Sequence, residues 1–141
     1  MRAVRPGLLA SLGFQGLSGV AGGLGLVGDP TGAALGLPLG WLEGSPFDDY
    51  FLPGLFLLVG LGAVPLVVLF GVWSGRRWGP PAALGVGIVL VAWILIEIAV
   101  VGFQSQPPLQ VTYGLLGVLI TALAIPLVLR LSPAGSAGIA D

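Results

Sequence analysis

The sequence predicts an all-α integral membrane fold: a four-transmembrane-helix bundle with both chain ends on the cytoplasmic side and one outer loop of short interfacial helices. Three observations lead there. Hydrophobic residues make up 56% of the chain and charged residues 8%, with a mean hydropathy of +1.07, far from the balance of a water-soluble domain of this size. Four stretches are long and apolar enough to cross a hydrocarbon core, which takes roughly 20 residues of helix. Arginines and acids also segregate to opposite ends when the chain is threaded through the membrane four times.

Composition excludes several chemistries. The 141 residues include no Cys and no His, so disulfides, thiolate or imidazole catalysis and zinc centres have no ligands or nucleophiles to use. Net charge is -1, with five Arg and no Lys. That leaves no basic patch to neutralise a run of phosphates, and nucleic acid is not an expected partner. No cofactor or metal is expected either.

The first span is placed at 7–27. It is Gly-rich, and each Gly costs up to about 1 kcal/mol relative to Ala in a helix interior, so close packing must compensate. Met1-Arg2-Ala3-Val4-Arg5 resembles the charged start of a signal peptide, but the long apolar stretch and the lack of an A-x-A site favour a retained helix. Ser11, Gln15, Gly19 and Gly23 recur every four residues, and Gly19 and Gly23 form a G-x-x-x-G pair that lets another backbone approach.

Residues 28–50 form the outer loop, too long for a simple turn and rich in apolar residues. Gly recurs there every four residues from Gly28 to Gly44, while Pro38 argues against one continuous helix. Asp29-Pro30 and Ser45-Pro46 each read as a cap followed by a helix start. Two short interfacial helices are therefore expected, their apolar faces forming a lid over the bundle. Glu43, Asp48 and Asp49 match no calcium loop. Asp48 and Asp49 instead suit the positive N-terminal end of the second span.

The second span is placed at 51–73, with Pro65 in its middle favouring a kink. The inner loop, 74–80, combines Arg76 and Arg77 with Gly79 and Pro80, which stop and restart helices. The third span, 81–103, is followed by the polar break Gln104-Ser105-Gln106-Pro107-Pro108 and then by the fourth, 109–131, with Pro126 near its inner end. Gln110, Gly114, Gly117, Thr121 and Ala124 line one face of this last span. That stripe predicts packing of the first span against the fourth, with Gln15 and Thr121 at matching depth and able to hydrogen-bond.

Orientation follows from the positive residues, which stay on the cytoplasmic side. Arg2, Arg5, Arg76, Arg77 and Arg130 share one side, and Asp29, Glu43, Asp48 and Asp49 the other. Trp73 and Trp78 then anchor the inner interface; Trp41, Tyr50 and Tyr113 anchor the outer one. The expected location is the inner, cytoplasmic membrane of a bacterial cell.

Glu97 is the ionisable residue inside a span, where insertion of a carboxyl costs about 2.5–3.5 kcal/mol. Trp93 and Gln104 share its helical face, and Gln110, Thr112 and Tyr113 lie at its depth on the fourth span. They are neutral hydrogen-bonding partners for it. A role in proton or cation handling follows from that setting, and the bland alternative is a small polar cluster within reach of water. One carboxyl makes no acid-base pair, so an enzyme is not expected.

The run from Trp41 to Gly54 (Trp41-Leu42-Glu43-Gly44-Ser45-Pro46-Phe47-Asp48-Asp49-Tyr50-Phe51-Leu52-Pro53-Gly54), together with Trp93, Glu97, Gly102, Ser105, Gln106 and Pro107, resembles a loose group of small, uncharacterised tetraspanning membrane proteins of bacteria. The resemblance implies a four-helix fold in the cell membrane and brings no activity. Two classes of function fit the residues. One is an accessory or structural subunit that packs in a larger membrane complex or in a homo-oligomer, as small-residue stripes suggest. The other is a carrier or binding protein for a lipid, hydrophobic small molecule or proton, with Glu97 at the base of a cavity under the outer loop.

Overall fold

A computed structural model of the chain describes residues 3–42, 47–102 and 109–140. Arg2, Glu43, Gly44, Ser45-Pro46 and the break containing Gln104 lie outside the described residues. Four helices are long and apolar enough to span a membrane. They are α1 (Val4–Gly28), α2 (Phe51–Trp73), α3 (Gly79–Val101) and α4 (Leu109–Ala140). Each packs on its sequence neighbour, and α1 also touches α4, so the four close into a ring.

The core runs down the middle of that ring through Leu8, Leu12, Leu61, Val68, Leu90, Ile94 and Ile120. Large apolar side chains on the outward faces, such as Leu17, Phe70, Leu95 and Leu115, stay exposed. Such a surface suits hydrocarbon rather than water as solvent.

Local chemistry explains where the helices stop. α2 ends at Ser74, and Gly75 follows with φ 77°. The Arg76 N–H donates to the Gly71 carbonyl at 2.9 Å and the Gly75 N–H to that of Val72 at 3.2 Å, the bond pair of a Schellman turn. Arg5, from α1, donates from Nη2 to the Val72 and Trp73 carbonyls, both at 2.8 Å. A cation thus sits on the negative end of the α2 dipole. α3 then begins at Gly79-Pro80-Pro81, where missing N–H groups cost nothing because first-turn donors have no partner within the helix.

Pro65 does not kink α2 in the simple way expected. The turn before it, Val59–Ala63, widens into a π-helix in which the Val64 N–H reaches the Val59 carbonyl. That shift absorbs the proline ring within a continuous span.

The small-residue stripes pack differently from the expected pairing of first and fourth spans. Gly16, Gly19 and Gly23 face α2: a Cβ on Gly19 would run into the Leu61 carbonyl, and one on Gly23 into the Leu58 backbone. Gly117 faces α3, where its Cβ would press on Val91 and Gly87, while Gly114 makes only ordinary contact with Ile94. The physical reason is matching hollows. Gly62 on α2 lies against Gly19 and Gly87 on α3 against Gly117, so glycine meets glycine within each hairpin, while Gly54 on α2 admits the α1 backbone at Leu26 and Val27. α1 still meets α4 through Gly7 against Leu123 and through the stacked rings of Phe14 and Tyr113, 6.1 Å apart. The expected Gln15–Thr121 bond does not form, since Gln15 donates to the Leu61 carbonyl at 2.9 Å and Thr121 to that of Gly117 at 2.8 Å.

Candidate functional site

The loop after α1 is organised by two side chains. Asp29 follows the last residue of α1, where Oδ1 accepts from the Thr31 hydroxyl at 2.6 Å and N–H at 3.3 Å, and Oδ2 accepts from the Ala34 N–H at 3.1 Å. The Thr31 hydroxyl, helped by the Ala34 and Thr31 N–H groups and opposed by slight desolvation, holds its carboxyl below the usual carboxylate range. Two short 3-10 turns follow, Ala33–Leu35 and Leu39–Leu42. Both fall between the two expected interfacial helix starts: only 3-10 turns follow Asp29-Pro30, and the second start, Ser45-Pro46, lies outside the described residues.

Tyr50 is the second organiser. Its N–H donates to the Pro30 carbonyl at 2.9 Å, and its hydroxyl donates to the Pro38 carbonyl at 2.6 Å. Gly32, at φ 79°, lets the chain turn beneath it, since a Cβ there would strike the Leu37 carbonyl and the Tyr50 ring. Asp49, just before the N-cap Tyr50, accepts the Phe51 N–H at 3.0 Å and so satisfies one first-turn donor of α2. Leu42 and Tyr50 are buried with Leu26, so the loop folds down onto the bundle rather than away from it.

Beneath this roof is a cavity of about 520 Å³, within the usual range for small-molecule sites. Leu35, Leu37, Leu42 and Phe47 line it from the loop; Leu57, Leu61, Leu90 and Ile94 line it from the spans. The structure brings Glu97, Trp93, Gln110 and Tyr113 together on its wall, with Gln15 and Gly19 from α1. Gln104 lies outside the described residues. Gly23, Gly114, Gly117 and Thr121 are not among the lining.

Glu97 stands about one turn from the end of α3 and hydrogen-bonds the Gln110 side chain. Gln110 also donates from Nε2 to the carbonyl of Gly102, at 3.1 Å, which ties the start of α4 to the end of α3. Burial first, and then the nearby Glu97 carboxylate, push the Tyr50 phenol up, so it remains a donor to Pro38. Trp93 stacks on Phe56 of α2 at 4.6 Å between ring centroids.

The floor is Gln15, midway along α1 and 1% exposed. Glu97 is thus a wall residue near the loop rather than the base expected of it. Below Gln15 the bundle closes with Leu8, Leu12, Val68 and Val72. Sequence reasoning read Gln15 as packing glue toward α4 and missed its place in the cavity. The available signal was Pro65: in an unbroken α-helix its absent N–H would have served the carbonyl of Leu61.

A second depression, between α3 and α4, is bounded by Ile88, Leu95, Val118 and Ile125 and opens sideways. It is almost wholly apolar and belongs to the outward surface.

Compared with protein-family models, with curated proteins and with solved structures, the chain matches none of them.

Proposed function

We propose that the protein is a small polytopic membrane protein that binds a lipid-like or other hydrophobic small molecule in the cavity beneath its loop. The carrying observation is that cavity: about 520 Å³, apolar over most of its lining, with a few polar side chains converging on it. That combination is the usual anatomy of a ligand site. The reading is non-catalytic, because among the described lining residues Glu97 has amide and aromatic neighbours and no second carboxyl, His or Lys beside it.

Arginines gathered at one end, with Asp29, Glu43, Asp48 and Asp49 at the other, support a bacterial inner-membrane location with both termini cytoplasmic and the loop outside. The accessory-subunit or homo-oligomer reading loses part of its support, since the glycines that suggested assembly are engaged within the chain.

Gentle extraction followed by native mass spectrometry tests the choice. The binding reading expects a small amphiphile retained at one per chain, and its loss in Ser18→Leu, which places bulk in the cavity. A larger protein co-migrating in stoichiometric amount, with no retained small molecule, would instead favour the accessory role.

A further inference from the structure

The polar groups of the cavity are unevenly matched. Four of its side-chain donors are committed to the protein's own carbonyls, while among the described residues the Trp93 indole N–H and the Tyr113 hydroxyl are not. Gln15 Nε2 donates to Leu61, the Ser18 hydroxyl to Phe14, the Tyr50 hydroxyl to Pro38 and Gln110 Nε2 to Gly102. Acceptors, by contrast, are left over. Among the described residues Gln15 Oε1 is fully buried with no hydrogen-bond partner, and the Glu97 carboxyl has two oxygens with about four lone-pair directions, of which the Gln110 amide can fill only part.

Charge points the same way. The chain has no Lys or His, and the cavity lining contains no Arg. Arg5, Arg76, Arg77 and Arg130 lie at the far end of the spans. A buried acceptor left unmatched costs free energy, and a carboxylate away from water is relieved either by a proton or by a counter-charge such as an ammonium group. The aromatic faces of Trp93, Tyr50 and Tyr113 beside it also attract cations.

We propose, resting on the binding reading above, that the occupant is an amphiphilic amine: an ammonium group pairs with Glu97, and an apolar body extends toward Gln15. A hydroxyl or N–H on that body meets Gln15 Oε1. Fatty-acid-like anions are rejected, because they bring a second carboxylate and more acceptors to a site already rich in them.

The test is equilibrium binding of tritiated dodecylamine to the full chain in nanodiscs, with empty nanodiscs subtracted and with unlabelled dodecylamine, dodecanol or laurate as competitors. These share one tail and differ in the head. The expected result is saturable binding at one per chain, competed by dodecylamine and not by laurate at equal concentration. Glu97→Gln keeps the shape and the partner Gln110 while removing the charge, and should weaken binding at least about tenfold; Glu97→Asp should retain most of it. Undiminished binding in Glu97→Gln, or laurate competing as well as the amine, overturns the proposal while leaving a hydrophobic site in place. Should Glu97→Gln fail to fold, the competition between laurate and dodecylamine still decides. Absence of saturable dodecylamine binding overturns the proposal, and if tritiated dodecanol and laurate also fail to bind saturably the binding reading itself falls.

Discussion

Gln15 Nε2 lies 2.9 Å from the carbonyl oxygen of Leu61, so α1 supplies a donor to the backbone group that Pro65 cannot serve. In hydrocarbon an unsatisfied carbonyl has no water to fall back on. A proline in a span is then sustained by a side chain from another helix. Gln15→Leu should lower stability by about 1 kcal/mol, within the range of interhelical bonds in membranes. The loss should shrink in a Pro65→Ala background, where the backbone regains its own donor. A double-mutant cycle by denaturation in detergent checks it, and strict additivity would refute the coupling.

Glycine substitutions should separate by position. Gly19→Leu drives a side chain into the Leu61 backbone and should destabilise the α1–α2 pair by roughly 3 kcal/mol or more. Gly85 has open space around its would-be Cβ, so Gly85→Ala should raise stability by up to about 1 kcal/mol through helix propensity. Thermal melts of both variants in one detergent provide the comparison.

Tyr50→Phe removes the bond to the Pro38 carbonyl while keeping the ring against Gly32. The loop should open more often, at a cost of about 1 kcal/mol. Faster amide exchange at Leu37 and quicker proteolysis between 30 and 42 would register this, with the spans unchanged.

Acid should loosen the other loop organiser. The Asp29 carboxyl titrates below its unfolded value, so its contribution is fully present above the ordinary Asp range, near pH 3.9, and is lost as pH falls through the lower folded value. Exchange at the Ala34 amide should therefore accelerate only below about pH 4, and in Asp29→Asn the acid-induced step should disappear.

Arg5→Ala should fray the last turn of α2, exposing the Val72 and Trp73 carbonyls. The effect is modest, about 0.5–1 kcal/mol for an exposed cation at a helix end. Exchange at the Arg76 amide reports it, because that N–H closes the same turn.

The four spans were legible because each is an apolar run bounded by Gly, Pro or charge, a signal carried by single residues in order. Glu97 and its neighbours Trp93, Gln110 and Tyr113 were legible by depth, as helical rise places them level across the α3–α4 hairpin. Partner choice was not legible. Gly19 and Gly23 mark a face at four-residue spacing, but the surface that receives them is Leu61-Gly62 and the Leu58 backbone of α2, which make no such stripe. The Tyr50 latch was hidden for a similar reason, since its acceptor is a carbonyl in a non-helical turn at Pro38. Gln15 was ranked as glue because its acceptor depends on a proline in another helix.

The packed layer of Leu8, Leu12, Val68 and Val72 beneath Gln15 makes the bundle a cup and not a tube. On the binding reading, an occupant would then come and go without passing that layer. Passage to the arginine end would require parting α1 from α2 where glycine backbones lie against each other and where Arg5 fastens the two. On the binding reading proposed above, such a vessel would hold and hand over a molecule on one side of the bilayer rather than conduct it across.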